Sequence, residues 1–307
     1  MKFYIIDAFT EKVFGGNPAG VVILPTEGDF PSEQLMQKTA AELRYSETAF
    51  IKQKAENEFQ IRYFTPKAEV ELCGHATIAS FCALLDAGIV SAGGSYHNDT
   101  LAGQLQISIE NNFIMMDMAP PAALNVIDKR SELKEIYKVM GLSDIEKGIS
   151  LDGEWELYPE IISTGLPDIL LPVANRDVLK TIQPDFPALS LLSKKYGVIG
   201  VHAFALGEGL VGTNCPANGQ VTAYCRNFAP AVGIDEEAAT GTSNGALTYY
   251  LYKNALIDDG ANCIFMQGES MGRPSEIVGR LRVEEEEGIK VQIGGTGAVL
   301  ARGEILL

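Results

Sequence analysis

The chain is poor in histidine and in positive charge. Three histidines occur in 307 residues, and 24 Lys+Arg stand against 40 Asp+Glu, a formal net charge of −16. Binding nucleic acid or an anionic membrane requires a basic surface that this composition does not supply. Both partner classes are therefore excluded, and an anionic ligand would have to be held by local groups. Long hydrophobic runs are missing as well: stretches such as IASFCALL fall well short of the roughly 18 apolar residues of a membrane-spanning helix. The opening MKFYIIDAF has one lysine and an apolar run cut by Asp7, too short for a signal-peptide core, so a cytoplasmic location is expected. Cysteine is scarce and unpaired by spacing. Cys73, Cys82, Cys215, Cys225 and Cys263 are odd in number and form no Cys-x-x-Cys, which predicts reduced thiols, with Cys82, Cys225 and Cys263 in the core. No Walker sequence and no His/Cys cluster with metal-ligand spacing is present, so no metal site is expected.

What the chain does have is globular material, 46% hydrophobic and 21% charged, with length enough for two domains. It also repeats itself. Phe64-Thr65-Pro66 leads through an acidic segment to Cys73-Gly74-His75; Phe228-Ala229-Pro230 leads through another to Thr240-Gly241-Thr242. Each copy then enters an apolar-rich helical stretch, HATIASFCALLDAG or TSNGALTYYLYKNAL. Proline to glycine is eight steps in the first (66 to 74) and eleven in the second (230 to 241), the extra three lying around Asp235, Glu236 and Glu237. Two unrelated strand-to-helix turns would carry the same glycines. Read as a true repeat, the pattern implies two pseudo-equivalent domains, each presenting a helix N-terminus whose N–H groups and dipole suit a small carboxylate.

Between the motifs, alternation predicts strands at FYIIDAF, AGVVILP, ETAFIKQ, FQIRYFT, GQLQISIE and FIMMDM, and a helix from about Ser32 to Leu43 with Ser32 as its cap. Ala119-Pro120-Pro121 breaks the pattern and marks a boundary. Beyond it come helices near 132–140 and 186–195 and strands at YPEIIST, DILLPV, VIGVHAFAL and VTAYCRNF. The tail RLRV-EEEEG-IKVQIGG reads as a hairpin whose Glu284–Glu287 run is a solvated turn rather than a metal site. Strand–helix alternation is too sparse for a doubly wound sheet. The fold class is α+β, with a rolled sheet around a central helix in each half.

Two motif matches fail their context. Gly241-Thr242-Ser243-Asn244-Gly245 fits G-x-S-x-G, but no strand runs directly into it and no histidine follows, His202 being the last. Gly295-Thr296-Gly297 begins like a dinucleotide fingerprint, yet Leu300 fills the third glycine position. Glu47, in YSETAFI, shares an alternation face with Ala49 and Ile51. If that face is buried, the acid is placed to carry protons near neutrality; if Glu47 sits at a strand edge, it faces water. His75 is a proton donor, a ligand contact or a helix cap.

Taken together, DAFTEKVFGGNPAGVV, SETAFI, CGHATIAS and EEAATGTSNGAL resemble the phenazine-biosynthesis PhzF family, within the diaminopimelate epimerase-like fold, over nearly the whole chain. The resemblance implies two pseudo-symmetric domains of mixed sheet around a central helix: 1–119 completed by a terminal strand at 297–307, and 120–296. It also implies a homodimer, no cofactor, and a small carboxylic acid as substrate. Racemases and epimerases of this superfamily use two opposed cysteines. The first matches Cys73, but the second falls at Ala238. PhzF-like isomerases instead use a glutamate, matching Glu47, that moves a proton between two carbons on one face. His75 and Glu237 are implied as its assistants, and Asn17, Gly74, Gly241 and Thr242 as substrate-binding. The family's usual Asp-Pro-Ala-Thr-Gly-Ser is here Glu237-Ala238-Ala239-Thr240-Gly241-Thr242. The expectation is a cofactor-independent isomerase. The alternatives are an amino-acid racemase or epimerase using Cys73, and a metabolite-binding protein that has lost the chemistry.

Overall fold

The structure, a computed structural model, describes residues 1–142, 145, 147–151, 155–208, 219–285 and 288–307. These divide into two compact units: Met1–Asp117 with Arg273–Glu276 and Gly294–Leu307, and Met118–Gly272 with Ile277–Ile293.

The first unit opens with β1 (Lys2–Ala8), β2 (Asn17–Ile23), α1 (Glu33–Leu43), β3 (Thr48–Ala55), β4 (Glu58–Phe64) and β5 (Glu69–Val70). Then come α2 (Gly74–Asp86), β6 (Ser95–Thr100), β7 (Gly103–Glu110) and β8 (Phe113–Asp117). A strand late in the chain, β20 (Gly297–Glu304), lies antiparallel to β1, which pairs in turn with β2. β2 is parallel to β3, β3 antiparallel to β4, β4 parallel to β6, and β6–β7–β8 form a meander. The helix α2 touches β1, β2 and β3 but also β20 and β8, the two ends of that order. A flat sheet could not reach one helix from both ends, so the sheet curls around it. Ten of the thirteen residues of α2 are buried. Its buried hydroxyls are satisfied inside the helix, Thr77 Oγ1 donating to the Cys73 carbonyl at 2.8 Å and Ser80 Oγ to that of Ala76 at 2.6 Å. On the outer face α1 adds a second layer, where Met36 and Ala40 meet Val22, Phe50 and Phe64. Strands with a layer on each side read as apolar runs rather than alternations, and Thr48 to Ile51 is buried without a break.

The second unit contains β9 (Ala122–Val126), α3 (Arg130–Val139), β10 (Ile149–Leu151), β11 (Trp155–Leu157), β12 (Glu160–Ser163), β13 (Pro167–Pro172), α4 (Arg176–Thr181) and α5 (Phe186–Tyr196). It continues with β14 (Val201–Leu206), β15 (Ala223–Ala229), β16 (Ile234–Glu237), α6 (Gly241–Lys253) and β17 (Asn262–Gln267). β18 (Ser275–Glu284) and β19 (Gly288–Gly295) complete it apart from the residues they give to the first unit. Strands β9, β12, β13, β14 and β15 are successive neighbours, with only β13–β14 parallel, and β15 is extended by β16 and β17. Here α6 is the central helix, again with ten of thirteen residues buried. β18 lies so close that a Cβ on Gly279 would come within 2.1 Å of Thr248 Oγ1. α3 and α5 cover the other face through Leu133, Ile136, Tyr137, Leu189 and Leu192.

The fold is thus α+β, a rolled mixed sheet around a helix in each unit. Cys225 and Cys263 are buried as expected, Cys82 is half-buried rather than fully in the core, and Cys215 lies outside the described residues. The hairpin strands are β18 and β19; of its acidic turn, Glu286 and Glu287 lie outside the described residues. No described helix is long and apolar enough to cross a membrane.

Candidate active site

Three backbone segments of the first unit bring its site together. β1 delivers Asp7, whose carboxylate accepts from the Phe14 N–H at 2.7 Å and from Arg273 Nη2 at 2.6 Å. The same guanidinium donates to the carbonyls of Gly15 at 2.7 Å and Gly16 at 2.9 Å. The loop between β1 and β2 is thereby fastened at three points, and Gly16 closes it in the left-handed region with φ +58°. A Cβ there would lie 2.2 Å from the Ala8 carbonyl oxygen, so glycine is required. β2 then starts at Asn17, which is buried.

β2 also fixes Glu47. The Gly20 N–H donates to the Glu47 carbonyl at 3.3 Å, and the parallel register pairs Gly20 with Thr48. Glu47 stands just before β3 and is 7% exposed, so the buried placement holds and the water-facing one does not. The third segment is the start of α2, where Cys73 occupies the cap position and His75 is the second helical residue.

His75 is the hub. Its Nδ1 lies 3.2 Å from Asn17 Nδ2, and its Nε2 lies 3.2 Å from both Ser46 Oγ and Glu47 Oε2. An amide N–H has a proton to give, so Nδ1 accepts from Asn17 and the ring proton sits on Nε2, facing Ser46 and Glu47. The ring is 3% exposed, and burial lowers its pKa despite the opposing pull of Glu47, which keeps the imidazole neutral near pH 7. Although Glu47 Oε2 is within reach of Nε2, the contact is not aligned as a hydrogen bond, and Oε2 is buried with no hydrogen-bond partner. A buried acceptor left this way is a place where a proton can be received. Cys73 Sγ is 3.4 Å from Nδ1 and 3.9 Å from Nε2. A sulfur in the ring plane beyond Nδ1 would be much farther from Nε2, so the thiol lies over the ring face.

The second unit builds a separate cluster around the start of α6. Glu237, at the end of β16, is half-buried and its Oε2 accepts from Thr240 Oγ1 at 2.8 Å. Gln267 Nε2 donates to the Glu237 carbonyl at 2.8 Å, and Asn244 Nδ2 donates to Gln267 Oε1 at 2.9 Å. Gly241 and Thr242 open the helix, Thr242 is buried, and Ala238 is a methyl group at 3% exposure that can accept no proton. Helices α1, α4 and α5 have N-caps whose side chains bond back into the first turn; the caps of α2 and α6, like that of α3, do not.

Ser243, the central residue of the G-x-S-x-G match, is no nucleophile. It is fully buried, donates a short hydrogen bond to Asp168 Oδ2 and accepts from Asn227 Nδ2 at 3.0 Å, while the same amide lies 3.3 Å from His202 Nδ1. Burial pushes the Asp168 carboxyl up to about 6 and the His202 imidazole down to about 3. Sequence reading missed this network, although Ser243 lay inside a motif it had singled out, along with Ser46, Asp7, Arg273 and Gln267; of these last four only Ser46 and Asp7 lay inside such motifs.

A family model described as "Phenazine biosynthesis-like protein" (PhzC-PhzF) matches residues 6–303. An uncharacterised isomerase of Clostridium acetobutylicum is 36% identical, covering 100% of this chain and 98% of its own. The trans-2,3-dihydro-3-hydroxyanthranilate isomerase of Pseudomonas fluorescens is 29% identical over 100% and 99%. Among solved structures, a PhzF-family protein of Bacillus anthracis superposes with TM-score 0.82 at 26% identity, covering 100% and 99%. A hydroxyproline epimerase of Agrobacterium vitis shares the fold, with TM-score 0.58 at 14% identity over 99% and 91%.

Proposed function

The chain belongs to the phenazine biosynthesis-like protein family of isomerases, and from that premise we propose that Glu47 is its acid/base, moving a proton between two carbons of a small carboxylic acid without a cofactor. One observation carries the reading: Glu47 Oε2 is buried, has no hydrogen-bond partner, and stands 3.2 Å from a neutral His75. In the proposed step Oε2 takes a proton from a carbon made acidic by an adjacent unsaturated or carboxyl group. The electron pair left behind delocalises over the substrate, and the same carboxyl returns the proton to a second carbon on the same face. No proton is gained or lost overall. The His75 Nε2–H donates to the oxygen or nitrogen where charge accumulates, and Asn17 keeps the ring turned for this while touching substrate itself.

Gly74 at the start of α2, and Gly241 and Thr242 at the start of α6, are proposed to bind substrate through first-turn N–H groups. Each helix end is worth about 0.3–1 kcal/mol to a carboxylate. Neither cap side chain serves those turns, which supports an acceptor supplied by the ligand. Glu237 is proposed to orient a substrate amine or hydroxyl. Since the Pseudomonas fluorescens relative is named for a dihydro-hydroxyanthranilate, cyclic unsaturated amino or hydroxy acids are the class to screen first. The two-thiol racemase reading lacks its second base, because Ala238 stands where that thiol would be.

The test is a panel of such acids incubated in heavy water. Deuterium appearing at one carbon as a double bond shifts supports isomerisation. Inversion at an α-carbon that thiol alkylation stops would replace it with a racemase. Affinity without exchange for every ligand bound would leave a binding protein.

A further inference from the structure

We infer that Glu47, Cys73 and His75 together form a binding site for one soft divalent cation, with Zn²⁺ as the type, and that the bound cation inhibits the enzyme. The inhibition rests on the reading above; the binding does not.

Cys-x-His alone is too little for a site, and the sequence shows no third ligand nearby. The fold supplies one by setting Glu47 beside the pair. The three donor atoms, one sulfur, one nitrogen and one oxygen, all lie within 4.8 Å of one another, and all three residues are buried. Zn–S near 2.3 Å and Zn–N and Zn–O near 2.0 Å at tetrahedral angles give ligand–ligand edges of about 3.3 Å (N to O) and about 3.6 Å (S to N). The observed edges are 3.2 Å for Glu47 Oε2 to His75 Nε2 and 3.9 Å for Cys73 Sγ to Nε2. Glu47 and His75 already stand at a tetrahedral edge, and Cys73, whose thiol lies over the ring face, reaches the third corner by turning to another rotamer about its Cα–Cβ bond. Glu47 Oε2 is the independent pointer, a buried oxygen with no hydrogen-bond partner.

Coordination through Nε2 requires the ring proton to move to Nδ1. Asn17, 3.2 Å from Nδ1, accommodates this by turning its amide so that Oδ1 accepts the new N–H, the carboxamide acting as an outer-shell ligand support. The thiol proton leaves to solvent, so each ion taken up releases one proton. The sulfur and nitrogen donors favour Zn²⁺, Co²⁺ or Cd²⁺ over Mg²⁺ and Ca²⁺, which prefer all-oxygen shells. With Glu47 and the Nε2 of His75 both committed to the metal, neither can handle a substrate proton.

The experiment titrates tag-free full chain with Co²⁺ and follows its spectrum. One equivalent should produce a near-ultraviolet thiolate charge-transfer band and the intense visible bands of four-coordinate cobalt, all displaced by Zn²⁺. Cys73→Ala should abolish the charge-transfer band. Glu47→Gln should weaken affinity by more than about tenfold, and Asn17→Ala by about 10–100-fold as for other outer-shell supports. A folded native protein that shows no saturable band overturns the site, as does a band that survives Cys73→Ala. If Cys73→Ala fails to fold, unchanged affinity in Glu47→Gln does the same. Zinc should inhibit isomerisation reversibly on chelation. A one-equivalent cobalt band with no inhibition would keep the site and overturn the inhibitory role together with the assignment of Glu47 as the base.

Discussion

Glu47→Gln separates proton transfer from every other contribution of this residue. The amide matches the carboxyl in volume, so contacts with the buried β3 segment survive, but it cannot carry a proton. General acid–base catalysis is worth about 10²–10⁴-fold, or about 2.7–5.5 kcal/mol of barrier at about 1.36 kcal/mol per decade. The structure also fixes the sign of the stability change. Glu47 Oε2 has no hydrogen bond to lose, and the amide oxygen can turn toward the Nε2–H of His75, so a buried acidic group is exchanged for a neutral, better-bonded one. Turnover should therefore fall at least about 100-fold while the thermal midpoint holds or rises and ligand affinity is kept. Deuterium uptake at saturating ligand, calorimetric binding and a melting curve read the three quantities. A rate above roughly a tenth of wild type would refute the assignment, and a fall of several degrees in Tm would show that the carboxyl is structural.

Cys73→Ala distinguishes the two chemistries of the fold: isomerisation should stay within tenfold of wild type by the carboxylate route, and its abolition alongside a tolerated Glu47→Gln would establish a one-thiol epimerase. Arg273→Met strands the buried Asp7 carboxylate; because Arg273 is itself partly exposed, the loss should be about 2–4 kcal/mol, below the full penalty for a broken buried pair, and under about 1 kcal/mol by urea unfolding would refute the clamp. His202, held near pKa 3 when folded and near 6.5 when unfolded, binds its proton more tightly in the unfolded chain. Its stabilisation is therefore full above about pH 6.5 and lost as the pH falls toward 3. His202→Gln should reduce the stability lost between pH 7 and pH 5 by about 2 kcal/mol relative to wild type; parallel urea titrations at the two pH values read this, and equal losses in the two proteins would refute it.

Much of this architecture was legible because the central helices announce themselves. Each begins at a glycine after an acidic stretch and runs for about three turns of apolar-rich sequence, and Ser32 caps α1 as its side chain predicts. β6 (SYHNDT) and β9 (AALNV) were not legible: one is polar, the other exposed at every position, so neither shows the alternation that marks a half-buried strand. β3 misled in a subtler way. Its alternation suggested one buried face, whereas α1 and α2 bury both. In the site, Glu47, His75 and Asn17 meet within the first unit, while Glu237, Gly241 and Thr242 assemble in the second. Arg273 was invisible because nothing local signals that a residue more than 250 positions away in sequence will fasten the loop before Asn17. The tautomer of His75 on α2 likewise depends on a side chain from a separate element, Asn17 of β2.

The arrival of Arg273 and β20 from the far end of the chain has a consequence for biosynthesis. During translation the first hundred or so residues emerge early, yet β1 lacks one of its neighbours until Gly297–Glu304 has been made, and the Asp7 loop has no clamp until Arg273 appears. Closing contacts of such long sequence separation is slow. The usual order, in which the N-terminal part of a chain folds first on the ribosome, cannot be completed for the proposed site: Asn17, Glu47 and His75 are synthesised early, but the loop that leads into Asn17 is clamped only after Arg273 has been made. A stalled or prematurely released chain would thus display an unfinished sheet edge at β1, where chaperones and proteases would find it.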